Sequence, residues 1–137
     1  MHITLETDYA VRIVYALACA EGRRMDAKTI AEETGVTLRF SLKILRKLAA
    51  GGLVRSYKGA HGGYELASGA DELTLYDVLT TVEGPYAFSR CVLPDYQCSH
   101  EHEGGCRCGN CKFMAIYDDI SKVVREKLSS VRFSDLI

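Results

Sequence analysis

Five of the six cysteines fall within 21 residues: Cys91, Cys98, Cys106, Cys108 and Cys111. Their spacing is C-x6-C-x7-C-x-C-x2-C. Thiolates are soft ligands, and three or four of them are enough to hold a zinc ion or an iron–sulfur cluster. His100 and His102 add nitrogen donors in the same stretch. Cys106, Cys108 and Cys111 are close enough in sequence to wrap one metal. The pattern is not the compact cysteine run of bacterial ferredoxins, which argues against an electron carrier. Nor is it two paired C-x2-C knuckles, the arrangement that favours zinc. A structural zinc knot and a set of reversibly paired thiols stand beside the cluster as readings of the spacing alone.

A second constellation is cationic. Between Val36 and Tyr64 there are six basic residues, Arg39, Lys43, Arg46, Lys47, Arg55 and Lys58, and no acidic one. On a helix turning about 100° per residue, Arg39, Lys43, Arg46 and Lys47 share one face, and Phe40, Ile44, Leu45 and Leu48 cover the other. Residues 1–69 carry ten basic and seven acidic groups, and residues 70–137 carry seven and eleven. A formal net charge of -1 therefore hides a positive patch. Such a face reaches phosphates and the acceptor edge of guanine in double-stranded DNA. A solvated helix face is the plain alternative for any charge run. Thr37, Arg39, Lys43, Arg46 and Lys47 are the candidate DNA contacts here, with Lys58 and His61 following in a glycine-rich turn.

These groups need elements to position them. Residues 7–20 read as an amphipathic helix, with Cys19 in its buried run and Gly22 ending it. Residues 26–34 form a short helix with Asp26 as N-cap and Gly35 as its stop. Thr37 caps a third helix over 38–50, which Gly51-Gly52 terminates. Two short helices joined by a tight turn, the second one basic, make a helix-turn-helix. Residues 53–57 and 64–67 then read as two strands around the turn 58–63, a hairpin in the position of a wing. Thr74 and Asp77 have capping-box spacing and open a helix that Gly84-Pro85 ends. Residues 86–111 show no sustained period and read as a loop. From 112 to about 129 a long helix resumes, with Phe113, Ile116, Tyr117, Ile120, Val123, Val124 and Leu128 on one side. The expected fold class is mainly α with a small β-hairpin wing. The chain divides into a winged-helix region at 1–84, a cysteine-rich sensor loop at 85–111 and a dimerisation helix with tail at 112–137.

The combination resembles the IscR/NsrR/CymR family of bacterial winged-helix regulators over essentially the whole chain. TDYAVRIVYALA resembles the family's first helix, RFSLKILRKLAAGGLV its recognition helix and KGAHGGYELA its wing. TLYDVLTTVEG, the cysteines and the long last helix follow in the family's order. The resemblance implies a homodimer paired through the long helix and a partly palindromic operator. It also implies a 2Fe–2S or 4Fe–4S cluster that reports iron supply, oxygen or nitric oxide. Cys91 and Cys98 match the first two ligand positions of the family. Cys106 matches the third by its spacing from Cys98, and Cys111 matches it by its distance to the last helix. Cys108 is additional. Some family members have a histidine three residues after the third cysteine; here Gly109 or Met114 stands there. In nitric-oxide-sensing members an aspartate near the N-terminus completes the cluster, and Asp8 occupies such a position. Its simpler role is a first-turn acid favoured by the helix dipole.

The bulk numbers bound the rest. A chain of 137 residues fits one compact domain, and pairing of subunits would add buried surface. The N-terminus has no basic, apolar leader and the longest apolar run is too short for a membrane span, so a cytoplasmic protein is expected. In that reducing setting clustered cysteines bind metal or do redox chemistry. No phosphate-binding glycine motif, nucleophile elbow or zinc-protease helix is present, so no enzyme is expected. The function read from these features is a cluster-sensing transcription regulator, expected to repress, that responds to iron, nitric oxide or redox state. A winged-helix regulator with zinc or a thiol switch is the nearer rival. A metal-binding redox protein or a DNA-free adaptor is the more distant one.

Overall fold

A computed structural model describes residues 2–98 and 111–137. The elements are α1 (Leu5–Cys19), α2 (Ala27–Thr34), α3 (Leu38–Ala50), β1 (Val54–Tyr57), β2 (Gly63–Leu66), α4 (Leu75–Glu83) and α5 (Lys112–Ser130). Single 3-10 turns lie at Arg90–Val92 and Phe133–Leu136. Two compact units emerge: Met1–Gly84 with Leu128–Ile137, and Pro85–Lys127.

In the first unit the helix starts follow the caps. Asp26 accepts from the Thr29 amide, Thr37 from the Phe40 amide, and Thr74 and Asp77 close a reciprocal capping box. The first helix begins two residues before the expected Thr7, because Thr4 caps it by accepting from the Thr7 amide at 3.2 Å. Around α1 pack α2, α3, α4 and the hairpin strand β2. Ala10, Ile13, Val14 and Leu17 of α1, Ile30 of α2, Ile44, Leu45 and Leu48 of α3 and Val78 of α4 form one buried cluster.

Two local expectations are corrected. Cys19 is exposed, not core. The buried arc of α1 runs through Ala10, Ile13, Val14, Leu17 and Ala18, whereas Cys19 lies on the outer arc with Tyr15 and Arg12. Phe40 is also on the surface rather than on the buried side of α3. Its ring meets Tyr9 edge to face at 5.7 Å, so it covers the junction of α1 and α3 from outside.

Strands β1 and β2 pair antiparallel, with Val54 opposite Leu66 and Tyr57 opposite Gly63. The turn between them is tight. A side chain on Gly62 would lie 2.4 Å from the Tyr57 carbonyl. Gly63 has φ +132°, and a β-carbon there would press on the Met25 carbonyl. Met25 lies so close because it exchanges two backbone hydrogen bonds with Tyr64, at 2.9 and 2.8 Å. The hairpin is thereby fastened to the link between α1 and α2.

The chain's last residues return to this unit. The Leu75 amide donates to Val131, the Phe133 amide to Leu73 and the Ser134 amide to Ala70. Phe133 is fully buried in the same core cluster. No sequence period marks this short segment, which the sequence reading gives only as the tail after the last helix.

In the second unit Ser121 is the organising residue. Its buried hydroxyl accepts from the Phe88 amide at 2.8 Å and donates to the Tyr117 carbonyl at 2.7 Å. Arg125 donates to the Tyr86 carbonyl at 3.1 Å, and the Phe88 and Tyr117 rings lie 5.4 Å apart. The start of the cysteine segment is thus held along α5. The apolar residues of α5 differ in exposure: at about 100° per residue Phe113 lines up with Tyr117, Ile120 and Val124, and Ile116 and Val123 lie beside that stripe. Tyr117, Ile120 and Val124 are half-buried, while Phe113, Ile116 and Val123 are 68%, 53% and 65% exposed.

Candidate nucleic-acid interface and cysteine segment

The cationic residues sit where the helical wheel places them. Arg39, Lys43 and Arg46 are exposed on α3, and Lys47 is partly so. Arg39, Phe40, Lys43 and Arg46 line one open groove. The buried side of the same helix, Ser41, Ile44, Leu45 and Leu48, fixes its rotation, so the cations must face outward. Thr37 is exposed and its hydroxyl is used as the cap, at 3.3 Å from the Phe40 amide.

An acid stands among these cations that the local sequence does not announce. Glu6 of α1 places Oε1 2.9 Å from Lys47 Nζ and 3.4 Å from Lys43 Nζ. The Lys47 ammonium, then that of Lys43, holds the Glu6 carboxyl below its usual range against the opposing effect of burial. Arg39 and Arg46 form no ion pair among the described residues.

Lys58 and His61 are exposed at the turn of the hairpin. Arg24, outside every sequence-predicted site, holds that turn from the side. Its guanidinium stacks 3.5 Å from the centre of the Tyr57 ring, donates to the His61 carbonyl at 3.2 Å and lies 3.8 Å from Glu65. Tyr57 in turn donates its hydroxyl to Glu65 at 2.6 Å. A lone arginine in a link carries no sequence signal of this kind, because its partners lie more than thirty residues away.

Among the candidate ligands, Cys91 is in the 3-10 turn, where its thiol donates to the Ser89 hydroxyl at 3.3 Å. Cys91, Cys98 and Cys111 are free thiols, the first two half-buried and the third exposed. Cys106 and Cys108 lie outside the described residues, as do His100 and His102. No group of three metal-ligating side chains gathers among the described residues. Asp8 forms an i,i+4 ion pair with Arg12 at 2.8 Å, the surface role available to a first-turn acid.

The Rrf2 family, described as iron-dependent transcriptional regulators, matches residues 3–137. The chain belongs to the Rrf2 family. Protein aau3 of Rhizobium meliloti is 36% identical over 91 residues, which are 66% of this chain and 59% of that protein. The chain therefore spans less than two thirds of that relative's length. The HTH-type transcriptional regulator IscR of Escherichia coli is 26% identical over 139 residues, covering 100% of this chain and 80% of that protein. Among solved structures, CymR, the global cysteine regulator of B. subtilis, superposes with a TM-score of 0.75 at 27% identity, covering 99% of this chain and 95% of that one. The Rrf2 assignment and this superposition agree with the winged helix-turn-helix: α2 and α3 are its two helices, and β1 and β2 its wing. No helix among the described residues is long and apolar enough to cross a membrane.

Proposed function

We propose that this Rrf2 chain is a DNA-binding transcription regulator, a repressor working as a homodimer. Its recognition surface is the outer face of α3 together with the wing. The observation that carries this is the alignment of Arg39, Lys43 and Arg46 on the exposed face of a helix whose other side is locked into the core. Guanidinium and ammonium groups presented in this way neutralise phosphates and, for arginine, engage guanine through two parallel hydrogen bonds. Lys58 and His61 extend the contact from the wing. The exposed apolar residues of α5, Phe113, Ile116 and Val123, fit a second copy of the chain, since apolar residues repeating along a long helix need a partner surface. Two recognition helices then meet half-sites about 34–36 Å apart.

The cysteine segment is the proposed sensor. Cys91, Cys98 and Cys111 are thiols without disulfide partners among the described residues and none is fully buried, so their chemistry fits a thiophilic group. They, with Cys106 or Cys108 in the stretch between, would hold an iron–sulfur cluster. When bound, such a cluster supplies a centre that responds to iron supply, oxygen or nitric oxide. The chain's own contribution is mechanical. Ser121 and Arg125 tie the backbone beside Cys91 to α5, so rearrangement of the segment would be felt by the proposed dimer helix. A thiol switch on the same cysteines is the second reading, favoured by the likeness to CymR.

One experiment on anaerobically purified protein tests both halves. Duplex DNA from upstream of its own gene is titrated, with iron and acid-labile sulfide assayed on the same sample. Tight binding is expected, with loss of more than tenfold in affinity on combining Lys43→Glu with Arg46→Glu. Binding indifferent to that reversal would remove α3 from the interface. Zinc at one per chain without iron or sulfide would remove the cluster.

A further inference from the structure

Glu6 is the acid that does not belong on a surface built for DNA. It comes from the first turn of α1, not from α3, and its carboxylate reaches two of the four α3 cations at 2.9 and 3.4 Å. Its position is fixed from several sides. Thr4 caps the helix just before it, and the Thr4 amide and hydroxyl are themselves bonded to Glu83 at 2.9 and 2.8 Å. Tyr9, one turn on, packs edge to face on Phe40 of α3. The Glu6 side chain is only 21% exposed, so the carboxylate is less screened than that of a free surface pair.

We infer that Glu6 is a specificity-determining residue, an internal competitor that occupies Lys43 and Lys47 in place of DNA phosphate. The inference rests on the DNA-binding reading and adds to it a division of labour among the α3 cations. Any duplex offers phosphates. For Lys43 and Lys47, a phosphate must displace a carboxylate already in place, so one anion is exchanged for another and little is gained. Arg39 and Arg46 have no such ion pair among the described residues, and their forked donors suit base edges as well as phosphates. Glu6 therefore subtracts from the sequence-independent part of binding and leaves the base-reading part intact. A cognate site supplies enough contact through the arginines and the wing to displace Glu6. A non-cognate site does not. The carboxyl remains ionised at neutral pH, held below its ordinary range by Lys47 and Lys43, so the competition is present under working conditions.

The test compares wild type with Glu6→Gln on a promoter duplex and on a duplex of unrelated sequence, each across a range of salt. The glutamine keeps size and polarity but drops the charge. On the unrelated duplex, affinity should rise by on the order of tenfold at 0.1 M salt. The slope of log K against log salt should steepen by up to about 1.8 per protomer, about 0.9 for each lysine released to a phosphate. The ratio of promoter to unrelated affinity should fall. Glu6→Asp, whose shorter side chain withdraws from the lysines, should move in the same direction by less, and it serves if the glutamine variant does not fold. In a Lys43→Gln, Lys47→Gln background, removing the Glu6 charge should change nothing. Unchanged slope and ratio overturn the proposal, and so does a full gain that persists without the two lysines. If wild type itself shows no salt-dependent DNA binding, the functional reading fails instead, which the same titration shows separately.

Discussion

Glu83 illustrates how single side chains hold the frame of the recognition helix. Its Oε1 accepts from the Thr4 amide, the Thr4 hydroxyl and the Thr7 hydroxyl, joining the end of α4 to the start of α1. Burial works to raise its carboxyl, but the donors of Thr7 and Thr4 outweigh it and hold the group below 4.5. A lowered folded value means that its stabilisation is fully present above the unfolded value and is lost as pH falls through the folded one. Glu83→Gln should therefore lower stability at pH 7 by about 1 kcal/mol, a modest figure because the group is partly solvated. The gap to wild type should narrow in urea titrations as pH falls through and below the ordinary carboxylate range; a gap of constant size would show that the charge is irrelevant. None of this could be read from sequence, since residues 79 apart carry no local pattern. The cations Arg39, Lys43 and Arg46 were legible because they alternate with apolar residues at helical spacing. Glu6 and Arg24 were not, because each acts on an element other than its own. Cys19 misled because it continues an apolar run in sequence, although at about 100° per residue it falls on the outer arc of Arg12 and Tyr15.

At the scale of elements, the caps were the most readable signals. Asp26, Thr37 and Thr74 each start a helix, since an unpaired helical amide takes the nearest side-chain oxygen. The hairpin was legible from glycines that a tight turn requires, within a residue at each strand end. The long helix α5 was legible in extent but not in facing. Its apolar residues read as one side, yet Ser121 rather than a hydrophobe marks its most buried line. Phe113, Ile116 and Val123 remain on the outside, and exposed apolar residues of this kind are where a second copy is expected. Ile116→Asp or Val123→Asp should weaken dimerisation by about tenfold to a hundredfold, the value of one buried aliphatic side chain plus the penalty for an unpaired charge. Light scattering would register the shift to monomer while circular dichroism stays helical, because neither side chain supports the protomer's core. An undiminished dimer in both variants would place the interface elsewhere.

For the whole molecule, charge is the organising quantity. A formal charge of -1 is the sum of a basic first half and an acidic second half. The fold puts six of the ten basic groups of the first half on α3 and the wing, and turns the apolar side of α3 into the core. Membership of the Rrf2 family and the likeness to CymR agree with that layout. The cysteine segment is the part least settled by chain pattern: its spacing admits several ligand sets, and Cys106 and Cys108 lie outside the described residues. The proposed binding of duplex DNA runs through the cations of α3 and the wing. Its most direct test is the salt dependence of binding to the promoter duplex. Arg39, Lys43, Arg46, Lys47 and Lys58 are five cations per protomer. For a dimer the slope of log K against log salt should be about -9 on the promoter, with all five engaged and Glu6 displaced, and about -5 on unrelated DNA, where Glu6 keeps Lys43 and Lys47. A slope near zero would contradict it.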